Sequence, residues 1–147
     1  MKLLSIVFFL SLSFLSPIEW TTDFAKAKTE ANSQHKYILL NFSGSDWCGP
    51  CIKLKKEVLD SPEFLQYADN KLVLVRADFP RNKKNRLSPE LTKHNEALAE
   101  KYNNQGKFPY TVLIDADGKV LKSWEGYTAN MTIENLKVEI EQLVRLK

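Results

Sequence analysis

The sequence predicts an α/β domain: a central mixed β-sheet flanked by helices, with an antiparallel hairpin at its C-terminal end. Three observations lead there. Short apolar runs, too brief for helices, stand at Tyr37–Phe42, Leu72–Val75 and Tyr110–Asp115. Between them lie segments whose apolar residues recur at helical spacing. The turn sequence Asp115-Ala116-Asp117-Gly118 then joins the third run to a fourth, Val120–Trp124, as a hairpin would. Strands alternating with helices imply a sheet with helices packed on its faces.

The elements follow in order. Glu19–Ser33 reads as a helix, with Trp20, Phe24, Ala27 and Ala31 at helical spacing. Tyr37–Phe42 is a buried strand, ended by Ser43-Gly44-Ser45. A helix begins near Cys48, with Pro50 in its first turn, where a missing N–H leaves no bond unmade. Ile52, Val58 and Leu59 supply its apolar face, and Lys53, Lys55 and Lys56 its wet one. Asp60-Ser61-Pro62-Glu63 stops that helix and caps a short one through Ala68. Leu72–Val75 is the most continuous run, as expected for a central strand covered on both faces. Phe79–Pro89 is a polar loop carrying Arg81, Lys83, Lys84 and Arg86, whose charges are expected to be solvated, with a binding role as the alternative. Pro89 or Glu90 opens a helix to Tyr102, with Leu91, Ala97, Leu98 and Tyr102 inward. A last amphipathic helix covers Thr132–Leu146, with Thr132 as its cap.

The 147 residues, 44% hydrophobic and 27% charged, suit one globular domain and leave no room for a second. A net charge of +3 on a mixed-sign background singles out no nucleic-acid or acidic partner. The start differs in kind from the rest. After Met1-Lys2, the stretch Leu3–Leu15 is apolar but for three serines, shorter than the ~20 residues that span a bilayer. It matches the apolar core of a secretory leader, an uncleaved anchor or buried helix being the alternative. The expected division is a signal peptide over residues 1–16 and one domain over 17–147, with export, to the periplasm in a bacterium. The cleavage site itself is poorly marked.

Export changes what cysteine means. The only two, Cys48 and Cys51, share a four-residue window, so a bond between them closes almost no loop and adds little stability. Cysteines three apart at a helix start lie about one turn from each other, within the ~4.4–6.8 Å between Cα atoms that a disulfide tolerates. Oxidised and dithiol forms can therefore share one backbone. Free amides and the helix dipole at an N-terminus favour a thiolate, and a Cys-X-X-Cys arrangement lowers the first pKa from ~8.5 to roughly 3.5–7.5. Cys48 is thus the expected nucleophile, and Cys51, one turn inside and more buried, the resolving thiol. Gly49 would let a partner's backbone approach, Pro50 would hold the turn, and Trp47 would either shield the site or pack in the core.

Trp47-Cys48-Gly49-Pro50-Cys51 after an apolar strand resembles the active-site signature of the thioredoxin family. The resemblance continues through Lys107-Phe108-Pro109-Tyr110-Thr111-Val112-Leu113-Ile114-Asp115, Gly118 and Gly126, covering residues 20 to 147. Ser43-Gly44-Ser45-Asp46 and Asp78-Phe79-Pro80-Arg81 look more like exported bacterial thioredoxin-like proteins than the cytosolic ones. The resemblance implies a thioredoxin-like fold and a cis peptide before Pro109, against the cysteine pair. It also implies substrate binding by Trp47, Phe108 and Pro109. Two departures stand out. With one extra residue in the Ser43-Gly44-Ser45 loop, the family's buried acid falls on Asn41, which cannot take a proton; that role is left vacant or to water, Asp46 or Glu57, although both carboxylates are expected to be merely solvated. Phe108 and Tyr110 both flank the proline, where thioredoxins have a smaller residue on at least one side.

The resemblance implies a thiol–disulfide oxidoreductase acting on protein disulfides, with no cofactor beyond the cysteine pair and a membrane-embedded or soluble electron donor. A monomer that binds no nucleic acid is expected. Gly-Pro between the cysteines resembles reducing members; net oxidation or isomerisation on the same scaffold stays open. Metal binding by the two thiolates is the other class, but tetrahedral zinc usually needs four ligands, and His35 and His94 suit surface or capping positions.

Overall fold

The computed structural model describes residues 18–145. The expected leader over residues 1–16, and Leu146, lie outside the described residues. In chain order the elements are α1 (Phe24–Gln34), β1 (Tyr37–Ser43), α2 (Gly49–Leu54), α3 (Pro62–Asp69), β2 (Leu72–Asp78), α4 (Pro89–Tyr102), β3 (Tyr110–Ile114), β4 (Val120–Glu125) and α5 (Ile133–Val144). A π-helical turn, Lys55–Leu59, prolongs α2, and a 3-10 turn, Lys83–Asn85, interrupts the basic loop.

The strands form one sheet in the order β2-β1-β3-β4. β1 runs parallel to β2, with Tyr37 opposite Leu72, and antiparallel to β3, with Leu40 opposite Val112. β3 and β4 form the hairpin, whose register slips at Leu113/Ile114. Alternation along the buried strands builds two cores. Ile38, Leu40, Phe42, Val73 and Val75 meet Phe24 and Ala27 of α1 and Leu98 and Tyr102 of α4. Leu39, Leu74 and Leu113 meet Leu54 of α2, Phe64 of α3 and Leu136 and Ile140 of α5.

Most predicted elements stand within a residue or two of their expected limits; four expectations need correction. The first helix begins at Phe24, not Glu19. Thr21 instead pairs with β2, its N–H donating to the Leu74 carbonyl at 2.9 Å and its carbonyl accepting from Arg76 at 2.9 Å, and Asp23 caps α1 by accepting from the Lys26 N–H. β2 is covered on both faces but is not central; β1 is. Ile52 is 46% exposed, because the inward line of α2 runs through Cys51, Leu54 and Val58 and turns Ile52 away. Ala97 is exposed for the same reason, the inward line of α4 being Asn95, Leu98 and Tyr102.

The π-helical turn has a visible cause. The Asp60 N–H donates to the Lys55 carbonyl five residues back, at 2.8 Å, and the wider turn brings Val58 and Leu59 inward together. The Asp60 carboxylate then pairs with Lys55 Nζ at 2.7 Å and with Arg76 of β2 at 3.0 Å, and the Arg76 guanidinium lies 4.1 Å from the centre of the Trp20 indole. Partial burial raises the Asp60 pKa, but hydrogen bonds from Lys55 and Arg76, with their charges, outweigh it and hold the carboxyl below the usual range. This network ties the end of the cysteine-bearing helix to the sheet and to the chain ahead of α1.

Replacing Asp60 should show whether the network acts through charge. Asp60→Asn is expected to cost about 0.5–1 kcal/mol at pH 7, as for partly exposed ion pairs. Since the folded pKa is depressed, the stabilisation is complete above the unfolded value of ~3.9 and is lost as pH falls through the folded one. Urea melts of the two proteins should converge below about pH 3. An equal gap at both pH values would refute the ion-pair origin.

Candidate active site

β1 ends at Ser43, and the next five residues form a tight turn that delivers Cys48 to the start of α2. The N–H groups of Trp47 and Cys48 both donate to the Gly44 carbonyl, at 3.3 and 2.9 Å. Gly44 is the position where only glycine fits: a Cβ there would run into the Trp47 indole. Gly49 is different, since a Cβ there would meet nothing within 4 Å and no contact inside the fold requires the glycine.

Cys48 is the N-cap of α2, with extended backbone angles (φ −93°, ψ 95°). Its Sγ accepts from the Cys51 N–H at 3.3 Å, the bond that a serine or aspartate oxygen makes at other helix starts. Pro50 occupies the first turn, where its lack of an N–H leaves no helix bond unmade. The two sulfurs are joined in a disulfide, with the Cα atoms 5.2 Å apart. Cys48 keeps 5% of its surface exposed and Cys51 2%, while Gly49 and Pro50 between them are open to solvent. The difference has the expected direction but is small: Cys48 is itself largely covered in the oxidised state. The exposed Gly-Pro edge borders the opening to it.

Trp47 is half-buried and joins three elements. Its indole N–H donates to the Phe79 carbonyl at 2.7 Å, Arg81 stacks over its face with the guanidinium carbon 3.7 Å from the ring centre, and Phe108 meets its edge at 5.5 Å between centroids. Phe79 closes the cluster against Phe108, also at 5.5 Å. The indole thus brings the cysteine turn, the loop after β2 and the loop before β3 to one place. The Phe108–Pro109 peptide is cis, Pro109 is buried, and its carbonyl accepts from the Gly126 N–H at 2.8 Å. Tyr110, expected on the same rim, instead packs against Phe42, so Phe108 alone faces Trp47.

Several positioning residues carried no signal in the sequence reading. Asp46, expected to be merely solvated, accepts from the N–H groups of Arg81 and Asn82 and from Asn85 Nδ2, each at 2.9 Å. These bonds, the one from the Arg81 N–H foremost, hold its pKa below the usual carboxylate value. A reciprocal tie runs the other way, with the Ser45 N–H and Oγ both donating to the Asp78 carboxylate. The basic loop is therefore folded against the cysteine turn rather than free in solvent. Buried Asn103 accepts from the Lys107 N–H at 3.0 Å and donates to the Lys107 carbonyl at 2.9 Å, fixing the approach to Phe108. The Asx pairing signal at Asp46 lies thirty-five residues from its partner, beyond the reach of local pattern reading.

Asn41 lies on the face of β1 that looks toward α2, buried, with Nδ2 donating to Thr111 Oγ1 at 3.0 Å. That pair satisfies the polar groups under the cysteine helix without a charge. Of the two carboxylates weighed as substitutes for the family's acid, Asp46 is committed to the basic loop, and Glu57 accepts from the Tyr127 hydroxyl at the edge of a cavity that Gly49 and Pro50 also line. Among the described residues no three His, Cys, Asp or Glu side chains gather as a metal site; His35 ends α1 in a left-handed conformation (φ 54°) and His94 lies on α4.

A parallel–antiparallel sheet whose β1 feeds a Cys-X-X-Cys helix, faced by a cis-proline loop, defines a protein of thioredoxin fold. The chain belongs to the Thioredoxin-like domain family, whose pattern it matches over residues 24–138. It is 40% identical over 104 residues to the disulfide bond reductase DsbH of Chlamydia pneumoniae, a match covering 71% of this chain and 60% of that protein. With the thioredoxin-related protein DsbJ of the same organism it shares 42% identity over 62 residues, 42% of this chain and 18% of that protein. The chain therefore spans less than two thirds of either curated relative. Among solved structures, a DsbH oxidoreductase superposes with a TM-score of 0.77 at 32% identity, over 90% of this chain and 88% of that one. The oxidised C-terminal domain of Neisseria meningitidis DsbD aligns over 84% and 98% with a TM-score of 0.56, at 22% identity, a likeness of fold alone.

Two substitutions test this account. Asp46→Ala should release the amides of Arg81 and Asn82, raising their hydrogen-exchange rates about tenfold or more with the core strands unchanged; unchanged protection would show that the loop is held by other means. Asn41→Asp would place a carboxyl where burial raises its pKa. Its share of stability is then present at low pH and lost as pH rises through the folded value, so the deficit relative to the wild type should grow by about 1–3 kcal/mol between pH 4 and pH 8. A deficit constant with pH in urea melts would place Asn41 in contact with water instead.

Proposed function

We propose that the chain is a thiol–disulfide oxidoreductase working in the reducing direction on protein disulfides, with Cys48 as nucleophile and Cys51 as resolving thiol. The observation that carries the reading is the Cys48 cap: its sulfur already accepts an N–H at the positive end of α2, so a thiolate formed there is stabilised by the same bond and by the helix dipole. The Cys51 sulfur, one turn below, is within bonding reach on the same backbone. The resemblance to a protein named a disulfide bond reductase supports the direction.

In the reduced protein, the Cys48 thiolate attacks one sulfur of the substrate disulfide. That S–S bond breaks, a mixed disulfide forms, and the substrate's other sulfur leaves as a thiolate. Cys51 then gives up its proton and attacks Cys48 Sγ, closing the disulfide described here and releasing the second substrate sulfur. Two electrons and the Cys51 proton pass to the substrate, and its second thiolate takes a proton from solvent. With Asn41 beneath the helix unable to accept a proton, the first thiolate released, a base of pKa ~8.5, is a suitable acceptor for the Cys51 proton. Trp47, Gly49, Phe108 and Pro109 form the surface on which the substrate chain lies, and Pro50 holds the turn.

The leader-like residues 1–16 support export, in a bacterium to the periplasm. In an oxidising compartment the spent disulfide must be reduced again, by a dithiol donor that is either membrane-embedded or soluble. The protein acts as a monomer, without nucleic acid and without a cofactor other than its own cysteine pair.

The decisive experiment combines trapping with a redox titration of the mature protein. Cys51→Ala should accumulate mixed disulfides through Cys48, at least about tenfold more than Cys48→Ala, read on non-reducing gels. The wild-type potential should lie nearer the ~−270 mV of thioredoxin than the ~−120 mV of a strong oxidant. Equal trapping by both variants would overturn the assignment of roles, and a strongly oxidising potential would overturn the direction.

A further inference from the structure

Beside the cysteine turn, on the side of Trp47, a groove of about 930 Å³ runs between the basic loop and the start of α4. Trp47, Phe79 and Phe108 make an aromatic wall, their rings in edge contact as described above. Arg81, Arg86 and Lys93 also line it, and Lys83 and Lys84 stand on the same loop. None of these five cations forms an ion pair among the described residues. Elsewhere on the molecule Lys55, Lys71, Arg76, Lys107, Lys122 and Lys137 each face a carboxylate. Of the two carboxylates lining the groove, Asp78 is engaged by Ser45, leaving only Glu96.

The loop that carries most of them is also held in place. Asp46 fixes its backbone through Arg81 and Asn82 and its Asn85 side chain, and Arg81 stacks on the Trp47 face, so the loop's positive charge is kept beside the cysteine turn. Asn95, 1% exposed, is also among the lining residues; its Nδ2 donates to the Asp78 carbonyl and its Oδ1 has no donor among the described residues. The cavity that Gly49 and Pro50 line has no comparable excess, its charged residues being Lys53 and Glu57.

We infer that this groove selects substrates whose polypeptide carries an acidic segment, with an aromatic or aliphatic residue for the aromatic wall, next to the disulfide that is reduced. The inference rests on the oxidoreductase reading and adds the substrate class. Arg86 and Lys93 set the specificity, with Arg81 supplying both charge and a stacking surface. Rim charges of this kind act through encounter rate and selectivity and are sensitive to salt.

The test uses the mature protein and three labelled ten-residue peptides that differ only in four flanking positions, all Glu, all Gln or all Lys. Each is made with a disulfide and in a cysteine-free form. Fluorescence anisotropy of the cysteine-free peptides should show the Glu peptide bound about tenfold or more tighter than the Lys peptide at low salt. The gap should close in 1 M salt, where screening acts within ~3 Å. The double variant Arg86→Glu/Lys93→Glu should reverse the order, and the ratio of Glu to Lys peptide within one protein controls for any general loss of fold. In turnover of the disulfide peptides with excess dithiol, kcat/KM should follow the same order. Equal binding of Glu and Lys peptides, or a preference unaltered in the double variant, would overturn the groove's selectivity. Reduction of all three at one kcat/KM would overturn it while leaving the oxidoreductase reading intact. Acidic preference without any disulfide reduction would overturn that reading, and with it the groove's role as a substrate site.

Discussion

A sulfur used as a helix cap is the interaction around which the molecule is arranged. An ordinary cap accepts one N–H and is finished; Cys48 does the same with a sulfur that is also bonded to Cys51 one turn on. For a disulfide and a dithiol to share that backbone, the first turn of α2 must stay put. The fold supplies the rigidity from below, where Leu54 and Val58 pack on Leu39 and Leu113, and from the far end, where Asp60 ties the π-helical turn to β2. It supplies the geometry from above, where the Gly44 carbonyl takes two N–H groups and the Trp47 indole covers Gly44 so closely that a methyl group would not fit.

The loops after β1 and β2 behave as one unit. Parallel strands end side by side, Ser43 opposite Asp78, so the residues that follow them are neighbours without any further device. Two carboxylates exploit this, Asp78 reaching to Ser45 and Asp46 reaching to the loop beyond Asp78. Charge is thereby concentrated where the chemistry is, although the chain as a whole carries only +3. A net charge averages over a surface and hides a local excess at one end of a sheet.

Much of this was readable in advance, and the failures have physical causes. The cysteine signature, the turn at Gly118 and the caps at Ser61 and Thr132 are local, written in residues a few positions apart, and each stands where local chemistry puts it. The start of α1 differs from its helical spacing because Trp20 does face a core, but beside a short pairing of Thr21 with β2 rather than on a helical face. β2 lies at an edge although its run predicts a central strand, because continuous apolar runs indicate two covered faces and say nothing about neighbours on the sheet. The tie that Asp46 makes is hidden because a carboxylate in a polar loop looks alike whether it meets water or three donors from distant residues. Long-range polar ties are the part of a site that a single sequence hides.

The pairing of Thr21 along the outside of β2 has a consequence for how such a molecule meets its own kind. An open strand end-on to solvent is a template on which other chains can add hydrogen bonds. On the β2 side, Thr21 occupies the Leu74 carbonyl and the Arg76 amide that would start such a ladder. On the β4 side, Lys122 and Glu125 are tethered to Glu139 and Lys107, and the slipped register at Leu113/Ile114 spoils the regularity that docking would need. Both margins of the sheet are thus guarded by residues that lie away from the cysteine turn, and neither guard draws on the side chains packed around Trp47.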